Sequence, residues 1–368
     1  MIKVLGDLHF GVRRNSAMFH KILIDSLAWF MSSVKKTDSV IILGDIFDNR
    51  SSVDFNILND AIDFFIDLSR KCKEVYVLVG NHDLYYKENI INNVNCRFLR
   101  FDVNPDQAIS PVTIINELQA VTIQNKKCLF IPWIDNTDRK NVAVDALKAS
   151  YDVVLGHFDT VGVYHEEEAD TPLMLDQNEF GENQLIISGH FHRHYKMGIV
   201  QYVGAFINQT FNDVGDVKGY HTINKNNDLK FIPGNSPKFE YLKIHNASGF
   251  LKGFSLASQE EKDQIYQQVN GNIIKLLLNE YNSENDELYR LFKGMTPLEI
   301  SVSYNGVNFE SGDEGEDFEG FDAKSDMVQI ITQYIEKLKT KLPEGVLYED
   351  INELIKQKHI QFKTMSSV

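Results

Sequence analysis

Short apolar runs alternate with amphipathic stretches along the first part of the chain. Three runs rich in valine, isoleucine and leucine, at Ile2–Leu5, Val40–Leu43 and Val75–Val79, are typical of strands buried on both faces. Between them, Met18–Val34 and Asp54–Arg70 carry apolar residues at helical spacing. This strand–helix–strand repetition predicts a parallel sheet with right-handed crossovers, and therefore an α/β layer.

From about residue 110 the apolar runs become shorter and lie closer together. They predict a helix near 138–149 and strands at 111–115, 119–124, 127–132, 152–155 and 184–188. Three more strands, near 199–203, 219–223 and 228–232, are expected to form a second sheet that packs on the first.

A different unit is expected to begin near Phe239. Its pattern predicts a strand at Glu240–His245, a long helix at Ser258–Tyr281, a short helix at Asn285–Phe292 and a strand at Pro297–Val302. This mixture indicates a small α+β domain over 239–305 that follows a larger first domain over 1–238.

The C-terminal part of the chain has another composition. Residues 306–323 are rich in glycine and acidic residues and cannot pack a core, so they are expected to form a linker. In the last segment, 324–368, Asp326–Lys341 and Leu347–Lys358 are candidate amphipathic helices. Such a helical pair either docks on a partner protein or packs as a C-terminal appendage, and the pattern alone fits both.

Composition and charge restrict the class of protein. With 368 residues, of which 43% are hydrophobic and 24% charged, the chain has an ordinary globular composition. This excludes a disordered chain, a collagen and a disulfide miniprotein. The net charge of −15 argues against a protein that coats nucleic acid by bulk charge. Seven of these negative charges lie between Glu310 and Asp322, and removing them changes −15 to −8.

The sequence predicts no association with a membrane and a cytoplasmic location. It contains no apolar run of about 18 residues, and its N-terminus enters a strand without the apolar region of a signal peptide. Cys72, Cys96 and Cys128 are scattered and form no Cys-x-x-Cys pair, which fits a reducing compartment.

Histidine, aspartate and asparagine cluster where predicted strands end. The junctions are Gly6-Asp7-Leu8-His9, Gly44-Asp45-Ile46-Phe47-Asp48, Gly80-Asn81-His82-Asp83, Gly156-His157 and Gly189-His190-Phe191-His192. Ligands of open α/β sheets bind at the carboxyl ends of the strands, so we expect these side chains to converge. Carboxylate, imidazole and amide donors without thiolate suit manganese, iron or zinc.

The number of donors favours two metal ions over one. Two ions roughly 3.5–4 Å apart clamp a phosphoryl group and generate hydroxide near neutral pH. Asp45, in the middle loop, is the candidate bridging ligand. One such motif alone is often a turn, but the ordered set of five is specific. His194 is intermediate between a candidate ligand and a structural residue, because it follows the ligand-rich turn. The remaining histidines are expected to be structural or solvated: His20, His165, His221, His245 and His359.

These motifs resemble the signature of the calcineurin-like metallophosphoesterase superfamily, and the resemblance spans roughly residues 1–232. It implies a four-layer α/β/β/α sandwich, with a small α+β cap domain and a C-terminal helical segment. Within the superfamily the chain resembles the SbcD-type nuclease subunits of double-strand-break repair complexes, and most closely those of bacteriophage recombination. That narrower resemblance rests on Gly44–Asp48, Val79–Leu84, Ile131–Trp133, Gly189–His192 and Tyr202–Gly204.

The resemblance also implies roles for individual residues. It assigns one ion to Asp7, His9, Asp45 and His192, and the other to Asp45, Asn81, His157 and His190. His82 is implied to contact the scissile phosphate and protonate the leaving oxygen, with Asp83 orienting its imidazole. Cellular relatives often have histidine where this chain has Asp48, and that histidine is assigned a role in contacting the substrate. Asp48 therefore puts in doubt whether this chain has a second imidazole, beside His82, for the substrate.

Basic residues flank the predicted metal loops. Arg13 and Arg14 follow the first loop, Arg50 follows the second, and Arg193 and Lys196 flank the last. They are candidates for contacts with DNA phosphates, Arg13 and Arg14 above the others, although ordinary surface charge explains them equally well.

The function that the resemblance implies is a manganese-dependent DNA nuclease, with magnesium as an alternative metal. It would act as an exonuclease on duplex ends and an endonuclease on single strands. The expected assembly is a homodimer formed through 54–70 and 85–98, with an SbcC-type coiled-coil ATPase bound by helices within 326–358. The chain has no Walker motif of its own. Two alternatives stay open, a protein phosphatase or cyclic-nucleotide phosphodiesterase on the same metal core, and an inactive scaffold.

Overall fold

The computed structural model describes residues 1–85, 112–161, 173–181, 185–279 and 283–304. The chain divides into two compact units, Met1–Asn305 and Gly306–Val368. The second unit lies outside the described residues, and so do the predicted linker, the predicted C-terminal helices and residues 86–98 of the predicted dimer segment 85–98. None of the helices in the described ranges is long and apolar enough to cross a bilayer.

The elements of the first unit are numbered here along the chain. The strands are β1 (Ile2–Leu5), β2 (Ser39–Ile42), β3 (Glu74–Leu78), β4 (Val112–Ile115), β5 (Gln119–Ile123), β6 (Lys126–Ile131), β7 (Val153–Gly156), β8 (Leu185–Ser188), β9 (Tyr195–Met197), β10 (Val200–Tyr202), β11 (Gly219–Ile223), β12 (Leu229–Pro233), β13 (Phe239–Ile244), β14 (Ile273–Leu278) and β15 (Glu299–Tyr304). The longer helices are α1 (Ala17–Ser33), α2 (Phe55–Lys71), α3 (Thr137–Leu147), α4 (Ala247–Leu256), α5 (Gln259–Val269) and α6 (Ser283–Lys293).

Two six-stranded sheets form the body of the molecule, in the orders β12-β11-β1-β2-β3-β4 and β5-β6-β7-β8-β10-β9. Strands β1 to β3 are parallel, as predicted, and β4 adds a fourth parallel strand. In the other sheet β6, β7, β8 and β10 are parallel. The assignment of 219–223 and 228–232 to the second sheet was wrong. Strand β11 pairs antiparallel with β1, and β12 extends that edge, so both belong to the first sheet.

Three apolar clusters establish the layers of this body. Helices α1 and α2 pack on the outer face of the first sheet, where Phe30 and Phe65 are fully buried. A second cluster, which includes Ile41 and Leu155, fills the space between the two sheets. Helix α3 covers the outer face of the second sheet through Leu147. The order of layers is therefore α/β/β/α, which confirms the predicted sandwich.

A three-stranded parallel sheet, β13-β14-β15, follows the sandwich and carries helices α4 and α6 on its own apolar cluster. The predicted long helix at Ser258–Tyr281 was wrong. Helix α5 ends at Val269, and Gly271 has a φ of 70°, a left-handed conformation that stops a helix. The following Ile-Ile-Lys-Leu-Leu-Leu run pairs with a strand on each side, as the buried middle strand β14. Helix α4 was not predicted, although its cap Asn246 accepts a hydrogen bond from the backbone N–H of Gly249.

Candidate metal centre

The predicted ligands all lie just beyond the carboxyl ends of five parallel strands. Asp7 and His9 follow β1, Asp45 follows β2, and Asn81 follows β3 in the first sheet. In the second sheet His157 follows β7, and His190 and His192 follow β8. Because the two sheets face each other, their loops meet at one edge of the sandwich.

Backbone contacts between the loops draw the ligands together. The N–H groups of Leu8 and His9 both donate to the carbonyl oxygen of Asp45, at 3.1 and 3.0 Å. Gly80 lets the loop after β3 approach Asp45 closely, since a Cβ at that position would lie 2.2 Å from Oδ1 of Asp45. Glycine is therefore required there for a steric reason.

One group of ligand atoms centres on His9. Nε2 of His9 lies 3.1 Å from Nε2 of His192, and Asp7 completes a set whose ligand atoms lie within 4.8 Å of one another. His9 is 1% exposed and Asp7 is fully buried. Two neutral imidazoles at this distance can share one N–H in a hydrogen bond, and with both facing nitrogens deprotonated the same pair could bind one cation.

A second group centres on the amide oxygen of Asn81. This oxygen lies 2.9 Å from Nε2 of His157 and 3.0 Å from Nδ1 of His190. Asp45 faces both groups, because its Oδ2 is 3.5 Å from Nε2 of His157 and 3.9 Å from Nε2 of His9. Its other oxygen, Oδ1, accepts a hydrogen bond of 2.8 Å from the backbone N–H of His82.

An unsatisfied oxygen tests whether a metal fits these side chains. Oδ2 of Asp7 is buried and has no hydrogen-bond partner in the described structure. A buried carboxylate oxygen without a partner is costly, and a divalent cation would supply the missing interaction. The oxygen and nitrogen donors of both groups are also those of manganese, iron or zinc sites. The residues therefore fit a pair of divalent ions.

Burial and neighbouring charges shift the pKa values of the ligands. Burial, with the neighbouring imidazole of His192, holds the pKa of His9 well below its usual value, so that the ring is neutral and able to bind metal. Burial also disfavours a charged His157, but the Asp45 and Asp7 carboxylates override it and raise the pKa of His157 to about 10. Burial likewise opposes the charge of Asp45, yet His157 holds the pKa of that carboxyl well below its usual value. The buried carboxylates thus favour a positive charge beside them, and a bound metal ion would supply it and leave the His157 ring neutral as a ligand.

The sequence profile of the calcineurin-like phosphoesterase family matches residues 1–194, just over half of the chain. The chain belongs to this family. Members of the calcineurin-like phosphoesterases use a dinuclear metal centre, and the two groups of ligand atoms described above are candidates for it.

Three viral proteins are similar to this calcineurin-like phosphoesterase. Exonuclease subunit 1 of Enterobacteria phage T4 is 25% identical over 235 residues, which are 63% of this chain and 67% of the phage protein. Putative phosphoesterase 078R of Invertebrate iridescent virus 3 is 26% identical over 215 residues, 56% of this chain and 57% of that protein. Putative phosphoesterase 244L of Invertebrate iridescent virus 6 is 24% identical over 219 residues, 58% of this chain and 73% of that protein.

The surroundings of His82 in this phosphoesterase differ from the prediction. Nδ1 of His82 lies 2.7 Å from the backbone carbonyl of Asp48, which leaves Nε2 for other contacts. Both oxygens of Asp83 accept hydrogen bonds of 2.9 Å from backbone N–H groups, those of Gly80, Asp45 and Ile46. The prediction that Asp83 orients the His82 ring was therefore wrong. Asp83 instead ties the second and third metal loops together, and the carbonyl of Asp48 orients His82.

The side chain of Asp48 contacts a different histidine. Its Oδ1 lies 3.6 Å from Nδ1 of His9, and His9, Asp48 and His82 offer ligand atoms within 4.8 Å of one another. Burial raises the pKa of this carboxyl. Asp48 therefore faces the back of a predicted metal ligand.

The predicted DNA-binding arginines have unequal surroundings. Arg13 is half-buried: its guanidinium lies 4.9 Å from the ring of Phe19 and 5.3 Å from that of Phe239, and its Nε donates to the carbonyl of Gln209 at 2.8 Å. Arg14 is exposed. Arg50 is partly exposed, and Arg193 is exposed with its Nη2 3.3 Å from the carbonyl of Asn212. Among them, Arg14 and Arg193 have the freer side chains for a phosphate.

Three residues that support the ligands escaped the sequence interpretation. Nζ of the buried Lys218 donates to the carbonyl of His192 at 2.6 Å, and to Asp213 and Asp216 at 2.7 and 2.9 Å. Asp159 lies 2.9 Å from His190, and the ring of Trp133 lies 5.1 Å from the His190 ring. Two signals were present in the sequence: Asp159 follows His157 by two residues in the same loop, and Trp133 ends the Ile131–Trp133 segment of the resemblance.

Proposed function

We propose that this chain is a two-metal, manganese-dependent DNA nuclease, with exonuclease activity on duplex ends and endonuclease activity on single strands. The observation that carries the proposal is the convergence of two donor groups on the single carboxylate of Asp45, which faces His157 at 3.5 Å and His9 at 3.9 Å. The similarity to a phage exonuclease subunit supports DNA as the substrate.

In this proposal Asp7, His9, Asp45 and His192 hold one ion, and Asp45, Asn81, His157 and His190 hold the other. Bound divalent ions would polarise a phosphodiester and supply hydroxide near neutral pH. The chain contributes His82, whose Nδ1–H would donate to the Asp48 carbonyl, so that in the imidazolium form its Nε2–H would protonate the departing sugar oxygen and leave a neutral ring. Arg14, Arg50 and Arg193, with Arg13 as the less accessible member, would contact phosphates along the strand.

We further propose that the protein works as the nuclease subunit of an SbcCD-type recombination and repair complex in the cytoplasm. The ATPase partner would bind the predicted helices within 326–358, and a homodimer would form through 54–70 and 85–98. The exposed ring of Phe55 at the start of α2 supports the dimer, since it is 82% exposed. The burial of Cys72 and Cys128 supports a reducing compartment.

The deciding experiment compares substrates for the purified protein. Labelled duplex and single-stranded DNA, a phosphopeptide and a cyclic nucleotide are each incubated with manganese, with magnesium and with chelator. We expect manganese-dependent release of nucleotides from DNA. Turnover of the phosphopeptide or the cyclic nucleotide alone would favour the alternative phosphatase or phosphodiesterase function, and no turnover of any substrate would favour a scaffold. Co-expression with candidate coiled-coil ATPases, followed by the same assay with and without ATP, tests the partner, and light scattering tests the dimer.

A first prediction concerns His82. His82→Asn should slow DNA cleavage by about 10²–10⁴-fold, because the variant cannot donate a proton, while the number of bound manganese ions stays unchanged. His20→Asn is the matched control, since His20 pairs only with Asp60 on the neighbouring helix and should leave cleavage at the parent rate. Equal cleavage by the His82 variant and the parent would exclude this role.

A further inference from the structure

The two ring nitrogens of His190 face different partners. Nδ1 is directed at the ligand group, 3.0 Å from the amide oxygen of Asn81. Nε2 lies on the opposite side of the ring, 2.9 Å from Oδ1 of Asp159. This oxygen of Asp159 is buried, and its 2.9 Å approach to Nε2 is not aligned as a hydrogen bond in the described structure. The carboxylate thus lies at the back of the imidazole, within hydrogen-bond distance of it.

The neighbouring ligand His157 has the reverse arrangement. Its Nδ1 lies 2.6 Å from the backbone carbonyl of Leu43, and its Nε2 lies 2.9 Å from the same Asn81 oxygen. A neutral imidazole carries one N–H, and the acceptor on one side determines which nitrogen keeps a free lone pair. For His157 the acceptor behind the ring is the carbonyl oxygen of Leu43. For His190 the corresponding group in the described structure is the Asp159 carboxylate.

The backbone around Asp159 is fixed on both sides. The carbonyl of Asp159 accepts a 3.0 Å hydrogen bond from the N–H of Leu175, whose own carbonyl accepts one from the N–H of Val161. Between them, Oγ1 of Thr160 lies 2.9 Å from the hydroxyl of Tyr202. Asp159 therefore lies next to the backbone bridge between Thr160 and Leu175, which holds this part of the chain in place.

The ring of His190 is confined as well. Its centroid lies 5.1 Å from the ring of Trp133, 4.9 Å from that of Phe191 and 5.3 Å from that of His157. His190 also has a φ of 82°, a left-handed conformation that non-glycine residues rarely adopt. Ring walls and backbone together restrict the rotation of the imidazole, which has one nitrogen near Asn81 and the other near Asp159.

We propose that Asp159 is a positioning residue of the metal centre. It accepts the Nε2–H of His190 and so reserves the lone pair on Nδ1 for the ion held with Asn81, His157 and Asp45. A carboxylate behind a ligand histidine fixes its tautomer and raises its basicity, and removal of such a partner typically costs about 10–100-fold in metal affinity. The inference rests on the proposed function only in requiring that the centre binds metal.

Metal titration of matched variants tests the role. Manganese binding to the parent, Asp159→Ala, Asp159→Asn, His190→Ala and the double variant is followed by calorimetry and by the paramagnetic resonance signal of free manganese. Asp145→Asn is the control, because it removes a carboxylate of the same kind from an exposed surface pair with Lys148. Thermal unfolding in chelator shows that each variant is folded.

The parent should bind two ions per chain, and Asp159→Ala should weaken one of them about 10–100-fold while the other keeps the parent affinity. Asp159→Asn keeps an acceptor oxygen without the charge and should lose less. The Asp159→Ala effect should disappear in the His190→Ala background, because Asp159 acts through His190. A purely structural role would instead lower stability and persist in that background.

Two results would overturn the inference: parent affinity for both ions in Asp159→Ala, or an undiminished loss when His190 is already absent. Should Asp159→Ala fail to fold, Asp159→Asn and its own double variant with His190→Ala decide in the same way. A parent that binds two ions but releases no nucleotides from DNA would refute the nuclease proposal alone, and the titrations would still decide on Asp159. A parent that binds no metal would refute both.

Discussion

Three of the predicted ligands, His9, Asp45 and His190, have positive φ values of 49°, 49° and 82°. A non-glycine residue in such a conformation costs of order 1–3 kcal/mol, and it persists only where its surroundings impose it. Here the neighbouring loops impose it, since the carbonyl of Asp45 accepts hydrogen bonds from both Leu8 and His9. Contacts between the loops therefore help to set the geometry of His9 and Asp45.

Lys218 should be among the most important single residues for stability. Its side chain is 1% exposed, and it neutralises Asp213, which is buried as well. Lys218→Met should lower the free energy of unfolding by about 3–5 kcal/mol, because the Asp213 charge would stay buried without its partner. Urea unfolding measures the change. Lys148→Met, which breaks an exposed pair with Asp145, should cost less than about 1 kcal/mol, and similar losses in the two variants would contradict the role given to Lys218.

His221 should make the protein sensitive to acid. Its side chain is buried, neither ring nitrogen has a hydrogen-bond partner in the described structure, and burial lowers its pKa from 6.5 to about 3. Because the folded state binds the proton less readily than the unfolded state, stability is complete above pH 6.5 and falls as the pH drops toward 3.

The slope from this group should reach about 1.4 kcal/mol per pH unit within that window. His221→Phe removes the titrating ring, so the difference in unfolding free energy between variant and parent should grow as the pH falls. Urea unfolding at several pH values measures it. Parallel stability curves for the two proteins would show that His221 does not titrate as proposed.

At the scale of elements, the sequence patterns located most of the parallel strands and the ligand loops. Buried parallel strands such as Val40–Leu43 are uninterrupted apolar runs, and glycine marks the turn after those that carry the predicted ligands. The failures have one physical cause. Ile273–Leu278 continues an apolar pattern that also suits a helix, and only its pairing with β13 and β15 makes it a strand. The pairing of β11 with β1 and the partner of Asp83 likewise depend on contacts between distant residues, which one sequence does not contain.

Substitutions of Arg13 and Arg14 should have different effects, because Arg13 packs between two elements and Arg14 is exposed. Arg13 connects Phe19 of α1 with Phe239 of β13, so Arg13→Ala should destabilise the protein by about 0.5–2 kcal/mol. Arg14 is exposed, so Arg14→Ala should leave stability unchanged, weaken DNA binding and lower the slope of log affinity against log salt by about 1. Thermal unfolding and fluorescence anisotropy with labelled DNA separate the two effects. A DNA-binding defect in Arg13→Ala without loss of stability would reverse the assignment.

For the whole molecule, the net charge of −15 opposes approach to DNA, and it is unevenly distributed. Seven negative charges lie between Glu310 and Asp322, outside the described residues, while the candidate centre contributes the buried carboxylates of Asp7 and Asp45, which bound ions would neutralise. Charge repulsion therefore acts on the rate and strength of DNA encounter and not on the chemistry of the site.

Neutralising those seven residues to asparagine and glutamine changes the net charge from −15 to −8 and should strengthen DNA binding at low salt. The gain should disappear near 1 M salt, where the Debye length falls to about 3 Å. The rate of cleavage of DNA already bound should not change, since no ligand is altered. Anisotropy titrations across a salt series, together with single-turnover cleavage, measure both quantities. A gain in DNA affinity that persists at high salt, or a faster single-turnover rate, would mean that the acidic segment affects the site by something other than its charge.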